Sequence, residues 1–104
     1  MSVEEWFAVF DQKYGNDFNW FVLDYDSTFV NELKHDLGIK FTDSSISAIA
    51  KCESNDDVLF LFESAYRIYH LTYSNNSSNL SYIEFIDLNS AMKYIEKDYT
   101  ENYL

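Results

Sequence analysis

The chain has no proline, two glycines (Gly15 and Gly38), one cysteine (Cys52) and only seven lysines and arginines in 104 residues. Each shortage excludes something. A single cysteine cannot form an internal disulfide, and it suits a reducing cytosol. Two isolated glycines cannot build a glycine-rich loop around phosphates, which removes nucleotide enzymes of the usual kinds. Seven cations against 18 Asp and Glu leave a net charge of −11, the wrong sign for a nucleic-acid backbone or an anionic membrane. No apolar run approaches the roughly 20 residues that span a bilayer, and no charged leader with an apolar segment opens the sequence. These shortages predict a cytoplasmic protein with a single domain over residues 1–104, without linker, repeat or disulfide.

What the chain does contain is aromatic and acidic. Nine Phe, nine Tyr and two Trp can fill a small core and still leave rings at the surface, where Tyr offers a large contact area with a polar tip. The stretch Asp56 to Ser74 organises the rest. Val58, Phe60 and Phe62 alternate with Leu59 and Leu61, so both faces of a strand are apolar and it belongs at the centre of a sheet. A second strand from Tyr66 to Tyr73 puts Tyr66, Ile68, His70 and Thr72 on one face and Arg67, Tyr69, Leu71 and Tyr73 on the other.

Around this hairpin the helices are signalled by caps and period. Ser2 and Glu5 have capping-box spacing, followed by Val3, Trp6, Phe7, Phe10 and Tyr14 as one apolar stripe that Gly15 stops. Asp26 or Ser27 caps a second helix with Phe29, Val30, Leu33 and Leu37 on one side and Glu32, Lys34, His35 and Asp36 facing away, ended by Gly38. Between these helices, residues 17–25 fit either a strand or a helical turn. Ile46, Ala48, Ala50 and Cys52 alternate with Ser47, Ile49 and Lys51, which favours a strand. Tyr82 to Ile86 reads as a later strand, and Asp87 or Asn89 starts a closing helix with Leu88, Ala91, Met92, Ile95 and Tyr99 inward. The predicted class is α+β: N-terminal helices, an antiparallel meander of three to four strands and a C-terminal helix packed on the sheet.

Catalytic chemistry has few footholds. His35 and His70 lack metal-ligand spacing, and Asp56 and Asp57, adjacent in a strand, point to opposite faces. No metal or cofactor is expected. Cys52 and His70 could act as nucleophile and base if their strands were neighbours, which keeps a small hydrolase or transferase open. Aromatics interleaved with acids offer the other reading. Asp17, Asp24 and Asp26 surround Trp20, Phe21 and Tyr25, while Glu96, Asp98 and Glu101 share the tail with Tyr99 and Tyr103. Aromatic anchors ringed by carboxylates suit a surface that meets Lys and Arg of a protein partner.

Two strings carry a resemblance. Asp56-Asp57-Val58-Leu59-Phe60, then Tyr69-His70-Leu71-Thr72-Tyr73-Ser74, resemble a D-D-V-L-F strand followed by a V-H-L-T-W-S strand in immunity proteins of bacterial polymorphic toxin systems, including contact-dependent growth inhibition. The likeness spans residues 56 to about 98. Tyr69 and Tyr73 stand where the pattern has Val and Trp. The resemblance implies a non-enzymatic protein that binds and silences a cognate basic toxin domain, often a nuclease, and it implies no catalytic residues. A nucleic-acid-mimicking inhibitor of the kind encoded by phages is the alternative within the same binding class.

Overall fold

A computed structural model describes residues 1–23, 28–37, 46–72 and 81–104. Helix α1 (Val3–Tyr14) begins at the expected capping box: the Glu5 amide donates to Ser2 Oγ at 3.1 Å, and the Ser2 amide donates to Glu5 Oε1 at 2.9 Å. It ends at Gly15, whose φ of 70° and ψ of −154° lie in a region that essentially only glycine visits. A 3₁₀ turn (Gly15–Asp17) follows, and Phe18 and Asn19 lead into strand β1 (Trp20–Val22), so the ambiguous segment holds both a turn and an edge strand, with residues 24–25 outside the described residues. Then come α2 (Thr28–Leu37), β2 (Ser47–Cys52), β3 (Asp57–Leu61), β4 (Tyr66–His70), β5 (Tyr82–Phe85) and α3 (Leu88–Asn102).

The sheet is an antiparallel five-stranded meander in the order β1-β2-β3-β4-β5. It has one strand more than the sequence suggested, because β1 joins it. As expected, β3 is central, and α3 packs on the sheet. The expected strand to Tyr73 stops at His70, and Tyr73 itself lies outside the described residues, as do Gly38 and the cap of α2.

Alternation along β3 divides the core in two. Leu59 joins Trp20, Ala50, Cys52 and Ile68 beneath α1 and α3, where Phe7, Phe10, Phe18, Met92, Ile95 and Tyr99 complete a buried cluster. Val58 and Phe60 join Tyr69 and Leu71 on the opposite face, where α2 contributes Leu33. The sheet is thus covered on both sides, as a strand apolar on both faces demands.

Two sequence expectations fail here, each for a local reason. Strict alternation would place Ile46, Ala48, Ala50 and Cys52 on one face. A bulge instead shifts the register between Ala48, opposite Phe60, and Ala50, opposite Leu59. The extra residue switches sides, so Ile46 and Ala48 pack toward α2 while Ala50 and Cys52 pack toward α1 and α3. Asp36, expected to face solvent, is buried. Its spacing from Phe29 and Leu33 puts it on the same helical stripe, and its Oδ2 accepts the Thr72 amide at 2.7 Å, tying α2 to the end of β4.

Candidate functional site

The protein spends most of its few cations on itself. Lys13 Nζ donates to Glu96 Oε2 at 2.9 Å, and Tyr14 Oη donates to the same oxygen at 2.7 Å, joining α1 to α3. The Tyr14 hydroxyl and then the Lys13 ammonium hold the Glu96 carboxyl below its ordinary range. Arg67 Nε donates to Glu84 Oε1 at 2.8 Å and Nη1 donates to Tyr69 Oη at 3.1 Å. Its guanidinium lies 4.6 Å from the Phe62 ring centre and 4.4 Å from that of Tyr82. Lys51 Nζ donates to the Cys52 and Asn55 carbonyls at 3.0 and 2.9 Å, and Lys97 meets Glu101 at 4.0 Å. Few positive charges are left to balance the exposed acids.

An open groove of about 410 Å³ lies where α1 gives way to the edge strand β1. The abrupt backbone of Gly15 turns the chain out of α1, and Phe18 and Trp20 then dive into the core while Phe21 stays 37% exposed. Phe7, Phe18 and Trp20 therefore lie buried beneath the groove, and Phe21 is the ring among these four that it exposes. Trp20 pairs with Cys52 and Phe21 with Lys51, so the β2 register carries Glu53 to the same edge, where its amide donates to the Asn19 carbonyl. Among the described residues, Asp11 on α1 and Glu53 after β2 are the charged side chains that line the groove, both exposed, and none of the described lining residues is a cation.

The residues singled out in sequence fare unevenly. Asp17 is exposed in the 3₁₀ turn whose Gly15 and Asn16 line the groove. Trp20 lines it too, but at 3% exposure it is a core residue rather than a protruding anchor. Asp24, Tyr25 and Asp26 lie outside the described residues. The C-terminal group is largely committed internally. Tyr99 is 2% exposed, its ring centre 5.0 Å from Tyr14 and 5.1 Å from Phe18, so it also belongs to the core and not to a surface rim. Glu96 is held by α1, Asp98 accepts from Asn102 Nδ2 at 2.9 Å, and Glu101 pairs with Lys97. Phe21 was singled out beside Trp20, but Asp11 and Glu53 were missed, because only the packing of α1 and the β1–β2 pairing bring them to its edge.

Cys52 and His70 are not brought together. Asp57 is opposite His70, and its Oδ1 is 2.8 Å from His70 Nδ1. The register Lys51–Val58, continued by one residue, places Cys52 on the far side of Asp57. Two strand spacings amount to about 10 Å, beyond the reach of a hydrogen bond. Burial pushes the Cys52 thiol up, against the direction that nucleophiles need. On α2, Glu32, His35 and Asp36 offer ligand atoms within 4.8 Å of one another, but Asp36 already holds the Thr72 amide.

Among the described residues no helix is long and apolar enough to cross a membrane. Comparison with protein-family models, curated proteins and solved structures finds no match.

Proposed function

We propose that this chain is an immunity protein of a bacterial polymorphic toxin system, acting in the cytoplasm. It binds a cognate basic toxin domain, a nuclease, and blocks its active site or substrate surface, with carboxylates standing where substrate phosphates would lie. The observation that carries this reading is how the charge is distributed. The protein ties up Lys13, Lys51, Arg67 and Lys97 on its own acceptors and leaves Asp11 and Glu53 exposed beside Phe21 at the β1 edge, the charged lining of that groove among the described residues. Such a surface attracts a cationic protein from a distance and offers the exposed Phe21 ring to pack against on arrival. The resemblance over residues 56–98 gives the reading its biological class.

The test is protection and kinetics together. Expression of the chain should rescue cells that produce the toxin domain encoded beside it. With the purified pair, raising salt from about 0.05 to 0.5 M should slow association by an order of magnitude or more, with a smaller effect on dissociation. Absence of protection would overturn the proposal. An association rate flat across that range would show that apolar contacts, not charge, bring the partners together.

A further inference from the structure

We infer that the outer edge of strand β5 docks a second copy of this chain, the two β5 strands pairing antiparallel so that their sheets join. β5 is a terminal strand of the sheet. Tyr82 is 46% and Ile83 41% exposed on it, and Ile86 just beyond it is 84% exposed. A terminal strand offers backbone N–H and C=O groups to any further strand. Proteins blunt such edges with lysine, proline, a bulge or a very short strand. The opposite terminal strand, β1, is three residues long. β5 pairs with β4 in unbroken register from Tyr82 to Phe85 and contains no lysine, proline or bulge.

Charge selects the occupant. Glu84 is the one charged residue of β5, and Arg67 on β4 already meets it at 2.8 Å. A cationic strand would find no unanswered acid on β5, so the edge suits a strand whose own charge is settled. β5 of a second copy is such a strand. Local cancellation also lets two chains of net charge −11 meet here rather than at their exposed acids. The pairing has a definite register. Residues opposed across an antiparallel pair share a face of the sheet, and on β5 Tyr82 and Glu84 share one face while Ile83 and Phe85 share the other. Glu84 opposite its own counterpart would set like charges together, which is destabilising. The neighbouring register puts Ile83 opposite its counterpart and Tyr82 opposite Glu84 of the second copy. It keeps the carboxylates apart and covers Ile83 with apolar surface.

The experiment uses the full chain alone, by sedimentation velocity over a concentration series at about 0.05 and 0.5 M salt. Two copies repel through their like net charge, so salt should tighten self-association by about tenfold. That is opposite in sign to the slowing expected with a cationic partner. Register is read by mild oxidation of single-cysteine variants, with wild type as control because Cys52 is buried. Ile83→Cys should give a covalent dimer, since opposed residues lie within disulfide reach, and Glu84→Cys should give little. Ile83→Lys should abolish the dimer while its circular dichroism stays that of wild type. A monomer at about 1 mM chain in the higher salt would overturn the inference. So would cross-linking at Glu84→Cys in place of Ile83→Cys, or a dimer that survives Ile83→Lys. No toxin enters the test, so its outcome is independent of the immunity reading.

Discussion

The two ends of the sheet handle acid in opposite ways. At the β5 end, Glu84 is answered by Arg67 from the neighbouring strand, and that guanidinium is held between two rings. The strand still exposes Tyr82 and Ile83, and Ile86 just beyond it is 84% accessible, but the charge of Glu84 is settled within the fold. At the β1 end, Asp11 and Glu53 are exposed beside Phe21, and none of the described residues lining that groove is a cation. The same components, rings and carboxylates, thus make a structural brace at one edge and an exposed acidic edge at the other. The difference teaches where to look for function in a protein rich in acid: at acids the fold has left unanswered.

That contrast can be tested by substitution, with the middle of the sheet as the reference. Phe60 on β3 is fully buried and packs edge-on to Tyr69, with ring centres 6.0 Å apart. Phe60→Ala should cost about 3–5 kcal/mol, a large share of the roughly 5–15 kcal/mol that holds a small domain together. A melting temperature within a degree or two of wild type would remove Phe60 from the core. At the β5 end, Arg67→Met keeps the length and apolar stem but loses the pairing with Glu84 and both ring contacts. It should cost about 1–2 kcal/mol by denaturant titration. At the β1 end, neutralising Asp11 and Glu53 together should change stability by no more than about 0.5 kcal/mol. Equal losses at the two edges would break the comparison, because the β1 acids would then be structural too.

Much of this architecture was legible locally. The Ser2–Glu5 capping box, the two-faced pattern of Val58 to Phe62 and the inward stripe Ala91, Met92, Ile95 and Tyr99 depend on neighbours within a turn or a strand, and the structure reproduces each. The bulge between Ala48 and Ala50 was invisible because nothing in that run departs from alternation; the extra residue is imposed by pairing with β3. Asp36 was misplaced by its polarity, although its helical spacing from Phe29 and Leu33 already pointed inward. The candidate site was legible only in part. Asp17 and Trp20 flagged the right region, yet rings near acids in sequence say nothing about which rings are buried. Trp20 and Tyr99 are core residues, whereas Glu53 reaches the groove from more than thirty residues along the chain.

The clasp between Lys13, Tyr14 and Glu96 has a kinetic consequence. Every strand of the sheet pairs with the strand before or after it in the chain, so hairpins such as β3–β4 close short loops. The clasp closes 82 to 83 residues at once, joining the first helix to the last. Loops of that length close late, after the local pairings that carry the chain over its folding barrier. Glu96→Gln should therefore raise the unfolding rate and leave the refolding rate unchanged, which stopped-flow measurements across a denaturant series can read directly. A slower refolding limb would place the clasp in the nucleus instead. With an unchanged one, Lys13, Tyr14 and Glu96 govern how long the folded molecule persists rather than how quickly it forms.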